Sequence, residues 1–316
     1  MGCRDTQTIE QKEKNYNFKE VVSSISPVIW TEKTQYTSYP IRDQDGSSQC
    51  VCMTLATEMG IIFKQKYNTW IDFTSAFPYQ QRKYLQYGGC TSEDVYDGFP
   101  KIGNVFESFM PSQKIGESAC MAIPRLPYYA DLAKVYKIKR IALPIDFETV
   151  ASTIQATGKG VMVWFAFSHP EWTNIPQVLP QPTTSGHSVT AVDWTLKDGK
   201  KYLVIQDSWG LQYAMQGLRL ISEEYFKARC YLASYLLSFQ MLEQALPSRP
   251  KYVERSVSSA KDCFKWEGLF PNNVESNDVA DNIFKTAVKA FQKRYNLTSD
   301  GIVGPITRGK LLEVYN

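Results

Sequence analysis

Gln44-Asp45-Gly46-Ser47-Ser48-Gln49-Cys50-Val51-Cys52-Met53-Thr54-Leu55-Ala56 is a loop rich in Gly and Ser that runs into a helical pattern. Met59, Ile61, Ile62 and Phe63 continue the pattern, and the spacing predicts a helix from Cys50 to about Tyr67. A cysteine at a helix N-terminus sits in the positive end of the helix dipole, which lowers its pKa and favours the attacking thiolate. Cys50 is therefore a candidate nucleophile and is expected to stand exposed at a cleft. Gln44, six residues upstream, is placed so that its amide could share an oxyanion with the Cys50 N–H. Cys52 falls about 200° further round the helix and reads as a small buried hydrophobe. Cysteines in apolar helices are more often packing than nucleophiles, so partners must come from elsewhere in the chain.

Two later segments supply them. Gly186-His187-Ser188-Val189-Thr190-Ala191-Val192-Asp193-Trp194 opens an alternating, strand-like run on a histidine. Tyr202-Leu203-Val204-Ile205-Gln206-Asp207-Ser208-Trp209-Gly210 is a second strand that ends in an acid. Cys50, His187 and Asp207 thus give a nucleophile, a base and a group to orient the base. The other histidine, His169, precedes a proline and has no acid-bearing strand after it, so it is the weaker base.

With these residues in view, roughly positions 25 to 240 resemble a papain-family cysteine peptidase. The Gln44-to-Cys50 spacing, the Gly186-His187 strand start, Ser208-Trp209-Gly210 and the later Gly217 all match that family, and Trp30 resembles the Trp near the start of its mature domain. The resemblance implies an α+β, two-lobed catalytic domain, a helical lobe plus an antiparallel sheet lobe. It implies that Gly88 and Gly89 bind substrate backbone and that Trp209 shields the His187–Asp207 bond. The family more often has Asn at the position of Asp207; a charged Asp would stabilise the imidazolium more strongly, and an Asn would still be expected to hold the ring. Val51 departs from the usual Trp. Ser47 stands where secreted relatives carry a disulfide cysteine, which implies a reducing interior. The family's inhibitory pro-segment is much longer than the polar residues 1–25, so an N-terminal extension with an ordinary frayed end is expected, and no zymogen.

Composition bounds the alternatives. The chain has 316 residues, enough for two domains, with 43% hydrophobic and 21% charged residues. A net charge of +3 makes no case for nucleic acid as a partner. No apolar run approaches a membrane span, and residues 1–25 are too polar for a secretory signal peptide. Seven cysteines without Cys-x-x-Cys spacing and only two histidines argue against a zinc site. No metal or cofactor is expected.

Along the chain, Glu93 to Phe109 reads as helix and Ala130 to Tyr136 as an apolar stretch with short turns. Asp146 to Thr157 reads as a helix capped by Asp146 and stopped by Gly158. A buried strand at 161–167 and alternating strands at 187–194, 201–206 and 218–221 follow, giving helices first and antiparallel strands later. The expected divisions are an extension over 1–25, the peptidase domain over 26–245, a linker over 246–256 around Pro247 and Pro250, and a small all-α three-helix domain over 257–316. In this last part Ser299-Asp300-Gly301-Ile302-Val303-Gly304-Pro305-Ile306-Thr307 resembles the signature of the peptidoglycan-binding domain, and Ala287-Val288-Lys289-Ala290-Phe291-Gln292 its central helix. Asn277 precedes Val288 by the same interval as Asp300 precedes Leu311, an echo of two loop-helix units; Asp278 departs from the usual Gly, and Ser259 to Leu269 would be the first helix.

Together the resemblances imply a thiol protease or amidase acting on peptide or peptidoglycan and held to the bacterial cell wall by its C-terminal part. That layout is similar to a phage endolysin, which would stay in the host cytoplasm until released to the wall. The alternative is a protease or structural component of a phage particle, virion-associated, whose C-terminal module docks on another protein.

Overall fold

A computed structural model describes residues 2–8, 11, 26–240, 250–267, 269–271 and 274–316. Most of the extension expected over 1–25 and most of the Pro247–Pro250 linker lie outside the described residues. The strands are β1 (Cys3–Arg4), β2 (Cys90–Thr91), β3 (Ile138–Leu143), β4 (Val161–Phe167), β5 (Ser185–Lys197), β6 (Lys200–Gln206), β7 (Leu218–Ser222) and β8 (Cys230–Phe239). The five helices that matter below are α1 (Cys50–Tyr67), α2 (Phe147–Thr157), α3 (Val257–Trp266), α4 (Asn282–Arg294) and α5 (Pro305–Tyr315).

β3 to β8 form one six-stranded sheet in the order β3-β8-β4-β5-β6-β7, with every neighbouring pair antiparallel. The unbroken apolar run of β4 follows from its central place, because both faces are covered. Val161, Val163 and Phe165 point into a core with Phe147, Val150 and Ile154 of α2, while Met162 and Trp164 point toward α1 and the helical half. α2 begins as its sequence dictates: Asp146 accepts from the Thr149 N–H at 2.7 Å, and Gly158 ends it at φ +64°.

α1 spans the predicted residues and is buried almost throughout its first four turns. It is tied to the sheet by charge as well as by apolar contact. Glu58 and Arg140, both fully buried, pair across the interface, and Arg140 also donates to Ser234 Oγ at 2.7 Å. The Met162 N–H also donates to Glu58 at 3.1 Å, while Arg140 Nε stays buried without a partner.

The helix read over Glu93–Phe109 is broken. A π turn at Asp94–Gly98 and a short helix at Phe99–Ile102 end at Gly103, whose φ is +73°. A Cβ there would lie 1.9 Å from the Ala133 carbonyl oxygen, so the chain must turn at glycine. The stretch read as turns at Ala130–Tyr136 lies largely in a helix, Pro127–Lys134, opened by its proline.

Beyond residue 250, α3, α4 and α5 close over Phe264, Phe284, Phe291 and Leu311. The two echoing loops have the same construction. Asn277 Oδ1 accepts from Lys261 Nζ at 2.7 Å and from the N–H two residues on; Asp300 Oδ1 accepts from Gln292 Nε2 at 2.7 Å and likewise from the N–H two residues on. Each loop then presents an aliphatic side chain at the matching position, Val279 at 60% exposure and Ile302 at 64%. Phe270, between α3 and α4, reaches the apolar surface of Val105, Phe109, Leu132 and Tyr136 in the helical half.

Candidate active site

Three elements bring the site together. Cys50 is the first residue of α1, after Gln49 as N-cap. His187 lies near the start of β5, where the neighbouring Ser188 Oγ donates to Thr54 Oγ1 of α1 at 3.0 Å and fixes the strand against the helix. Asp207 follows β6 directly, its N–H donating to the Gly217 carbonyl at 2.8 Å. Gly217 adopts φ +87°, and a Cβ on it would come within 2.6 Å of Ile41, so the loop that accepts this bond requires glycine.

His187 Nε2 is 2.7 Å from Asp207 Oδ1, while its Nδ1 side faces Cys50. Burial disfavours the charged ring, but the Asp207 carboxylate and the Cys50 sulfur outweigh it and raise the His187 pKa to about 9. Burial also works against ionised Asp207, yet His187 and Arg219 hold its pKa well below the usual carboxylate range. The Cys50 pKa is lowered well below that of a free thiol, first by a hydrogen bond from Cys3 and then, against burial, by the His187 hydrogen bond and charge. At neutral pH the arrangement therefore favours a thiolate–imidazolium pair.

Gln44 lies beside this pair in a cleft of about 500 Å³ that Cys50, His187, Trp209 and Ser47 also line. Its amide nitrogen donates to the Ser47 carbonyl, and its Oε1 accepts from Ser208 Oγ at 2.7 Å, which fixes the orientation of the amide. Trp209 sits with its ring 5.2 Å from that of His187. His169 is exposed on the same wall, stacked at 6.0 Å on Trp209, with no contact to Asp207. Gly88 and Gly89 form the turn into β2, Gly89 at φ +84°; the residue that offers its main chain to a bound strand is the next one, Cys90.

That bound strand is the chain's own. The expectation of an exposed Cys50 and a frayed N-terminal end is overturned: Cys50 is 1% exposed and Cys3 7%. β1 pairs in parallel with β2, the Cys90 N–H donating to the Gly2 carbonyl at 3.1 Å. Gly2 lies so close that an added Cβ would fall 3.0 Å from Cys50 Sγ. Thr6 N–H and Asp5 continue the attachment through Ser92 Oγ, both at 2.8 Å.

Two residues escaped the sequence reading. Trp172, from the loop between β4 and β5, donates its Nε1–H to Asp207 Oδ2 at 2.9 Å and sets its ring edge-on to His187. Arg219, inside β7, donates to the same oxygen at 2.8 Å. The signal for Arg219 was its place between Leu218 and Leu220 in an apolar strand, since arginine is buried only with a partner. No such signal marks Trp172. No disulfide is formed among the described residues, and Cys52 and Cys90 stand with their sulfurs 3.6 Å apart. No group of residues suited to hold a metal occurs among the described residues, and no described helix is long and apolar enough to cross a membrane.

A mixed helical and antiparallel fold with this Cys-His-Asp arrangement is the papain-like cysteine protease fold, followed here by a small helical region. Known structures agree. Xylellain, a cysteine protease from Xylella fastidiosa, superposes with a TM-score of 0.57 at 15% identity over 70% of this chain and 90% of its own. Procathepsin L 3 of the Tenebrio molitor larval midgut gives 0.52 at 18% identity over 68% and 72%. A clostridial cysteine protease after propeptide cleavage gives 0.52 at 16% over 65% and 56%. Residues 255–311 match the family model described as "Putative peptidoglycan binding domain". No curated protein sequence matches the chain.

Proposed function

We propose that the protein is a cysteine peptidase or amidase that hydrolyses peptide bonds of the bacterial cell wall, in the manner of an endolysin. The observation that carries the catalytic half is the placing of His187 between Cys50 and a buried, ionised Asp207 in a papain-like fold. The Cys50 thiolate attacks the scissile carbonyl, and the developing oxyanion is met by the Cys50 N–H and a Gln44 amide hydrogen. His187, as imidazolium, gives its proton to the leaving amine. A water then hydrolyses the thioester with His187 as base, while Asp207 holds the ring and supports its charge.

The wall-directed half rests on the match over 255–311 and on the paired loops at Asn277 and Asp300. Residues 255–316 carry nine Lys/Arg against seven Asp/Glu, so attraction to anionic wall polymers is weak and recognition depends on shape. Tethering raises the enzyme's concentration at a solid substrate without adding a contact at the cleft. The exposed aliphatics Val279, Ile302 and Ile306 favour a second reading, in which this part docks on a protein of a phage particle.

One zymogram decides between them. Gels cast with purified sacculi or with denatured protein are compared for the full chain and for Cys50→Ala. Clearing of sacculi alone, lost in the variant, supports the wall hydrolase. Clearing of the protein gel alone supports the docked protease.

A further inference from the structure

The cleft holds a second thiol that the proposed hydrolysis does not use. Cys3 lies in β1 beside the nucleophile: a Cβ on the preceding Gly2 would fall 3.0 Å from Cys50 Sγ, and one on Gly186, next to His187, would fall 3.2 Å from Cys3 Sγ. Its place is fixed from both ends: Tyr231 Oη is 2.8 Å from the Cys3 sulfur and donates to the Cys3 carbonyl at 3.0 Å. Gly2 is the spacer that permits this, since a Cβ there would fall 1.9 Å from the Gly186 oxygen and hold the strand away.

We propose that Cys3 and Cys50 form a disulfide with each other when the protein meets a low-molecular-weight disulfide such as glutathione disulfide, and that this bond fastens β1 across the cleft. The inference needs only the placement of the two thiols and does not depend on which bond the protein hydrolyses. β1 contributes a two-residue ladder, so opening the cleft breaks few main-chain hydrogen bonds. In the lifted state the Cys50 thiolate attacks one sulfur of the small disulfide, forming a mixed disulfide and releasing one thiolate. When β1 returns, the Cys3 sulfur attacks the Cys50 sulfur of the mixed disulfide, the glutathione sulfur leaves, and the Cys3 proton passes to it. Two protein thiols are oxidised by two electrons, the small disulfide is reduced to two thiols, and a dithiol reductant reverses both steps.

Cys52 and Cys90 serve as the internal comparison. Their sulfurs are 3.6 Å apart, but burial raises both pKa values, so they lack a thiolate to begin the exchange. Cys50 has that thiolate, and Cys3 is the thiol placed to resolve the adduct.

The test uses the full chain, incubated with glutathione disulfide, blocked with N-ethylmaleimide and mapped by mass spectrometry without reduction. The expected result is a peptide containing Cys50 joined to one containing Cys3, and loss of that species on adding dithiothreitol. In Cys3→Ser the same treatment should leave Cys50 carrying glutathione, because nothing resolves it; this also shows that the nucleophile still reacts in the variant. A native chain in which Cys50 stays free or retains glutathione overturns the proposal, as does a Cys52–Cys90 link formed in its place. Failure of the protein to clear sacculi would leave the cross-link result untouched, so the two readings fail separately.

Discussion

Arg219 Nε donates to Asp207 Oδ2 at 2.8 Å on the side of the carboxylate away from His187. With Trp172 Nε1 on the same oxygen, and His187 Nε2 and the Ser208 N–H on the other, each carboxylate oxygen is met by two donors. An asparagine offers one acceptor and one donor, so its NH2 would confront donors in either orientation. Asp207→Asn is thus expected to lose activity and about 3 kcal/mol of stability, because it leaves the buried Arg219 charge uncompensated. This reverses the expectation drawn from the commoner Asn of the family. Combining it with Arg219→Leu should recover part of the stability, which a denaturation double-mutant cycle would measure. Equal stability of Asp207→Asn and the native chain would refute the four-donor account.

The pH profile tests the same carboxylate through His187. The imidazolium is lost as pH rises through about 9, which places the alkaline limb of kcat/KM there. In whatever activity Asp207→Asn retains, that limb should move to lower pH, since a neutral partner supports the ring's charge less. A limb that stays or moves up would show that Asp207 is not acting as an anion.

Cys50→Ser should abolish hydrolysis with the fold retained, whereas Cys52→Ala should keep hydrolysis and cost about 1–2 kcal/mol through lost packing. Alkylation by iodoacetamide, followed by peptide mapping after reduction, separates the two. Labelling of Cys52 ahead of Cys50 would reverse the assignment of the nucleophile.

Legibility followed the physics of each segment. α1 spans the residues read for it, and α2 and β4 were plain from a cap and an unbroken apolar run, because each carries its own local signal. β3 and β8 were not read, since their positions depend on pairing with each other and with β4 across the sheet. The helix expected over Glu93–Phe109 breaks at Gly103, whose positive φ goes with the Ala133 carbonyl packed against it and not with any local pattern. The two residues of β1 are too few to show any periodicity. Cys50, His187 and Asp207 were legible as a set in chain order, while Arg219 and Trp172 gain their meaning only when the strand and the loop close on Asp207.

Glu58→Gln should destabilise the protein by about 3–5 kcal/mol, since it leaves Arg140 charged, buried and short of its partner. The chemistry at Cys50 is untouched, so chemical denaturation should shift its midpoint while kcat in the folded chain stays close to native. A shift of less than about 0.5 kcal/mol, the range of ordinary surface changes, would show that the pair contributes nothing to joining α1 and the sheet.

Removing residues 251–316 takes Phe270 off the apolar surface around Val105, Phe109 and Leu132. The shortened chain should therefore melt several degrees lower, by calorimetry, while still turning over a small soluble peptide. Its lysis of intact walls at low enzyme concentration should fall sharply. An unchanged Tm would mean that the two parts do not support each other.

A cleft partly taken up by its own chain changes what a measured Michaelis constant means. A substrate meets a productive site only in the fraction of molecules from which Gly2 and Cys3 have withdrawn, so its apparent affinity is the intrinsic one scaled by that fraction. The scaling is common to every ligand that needs the vacated groove. Ratios between rival substrates therefore survive it unchanged, while every absolute constant is weakened together. A substitution at Gly2 that cannot pass the Gly186 carbonyl should lower all of these constants by one shared factor, improving weak and strong ligands alike.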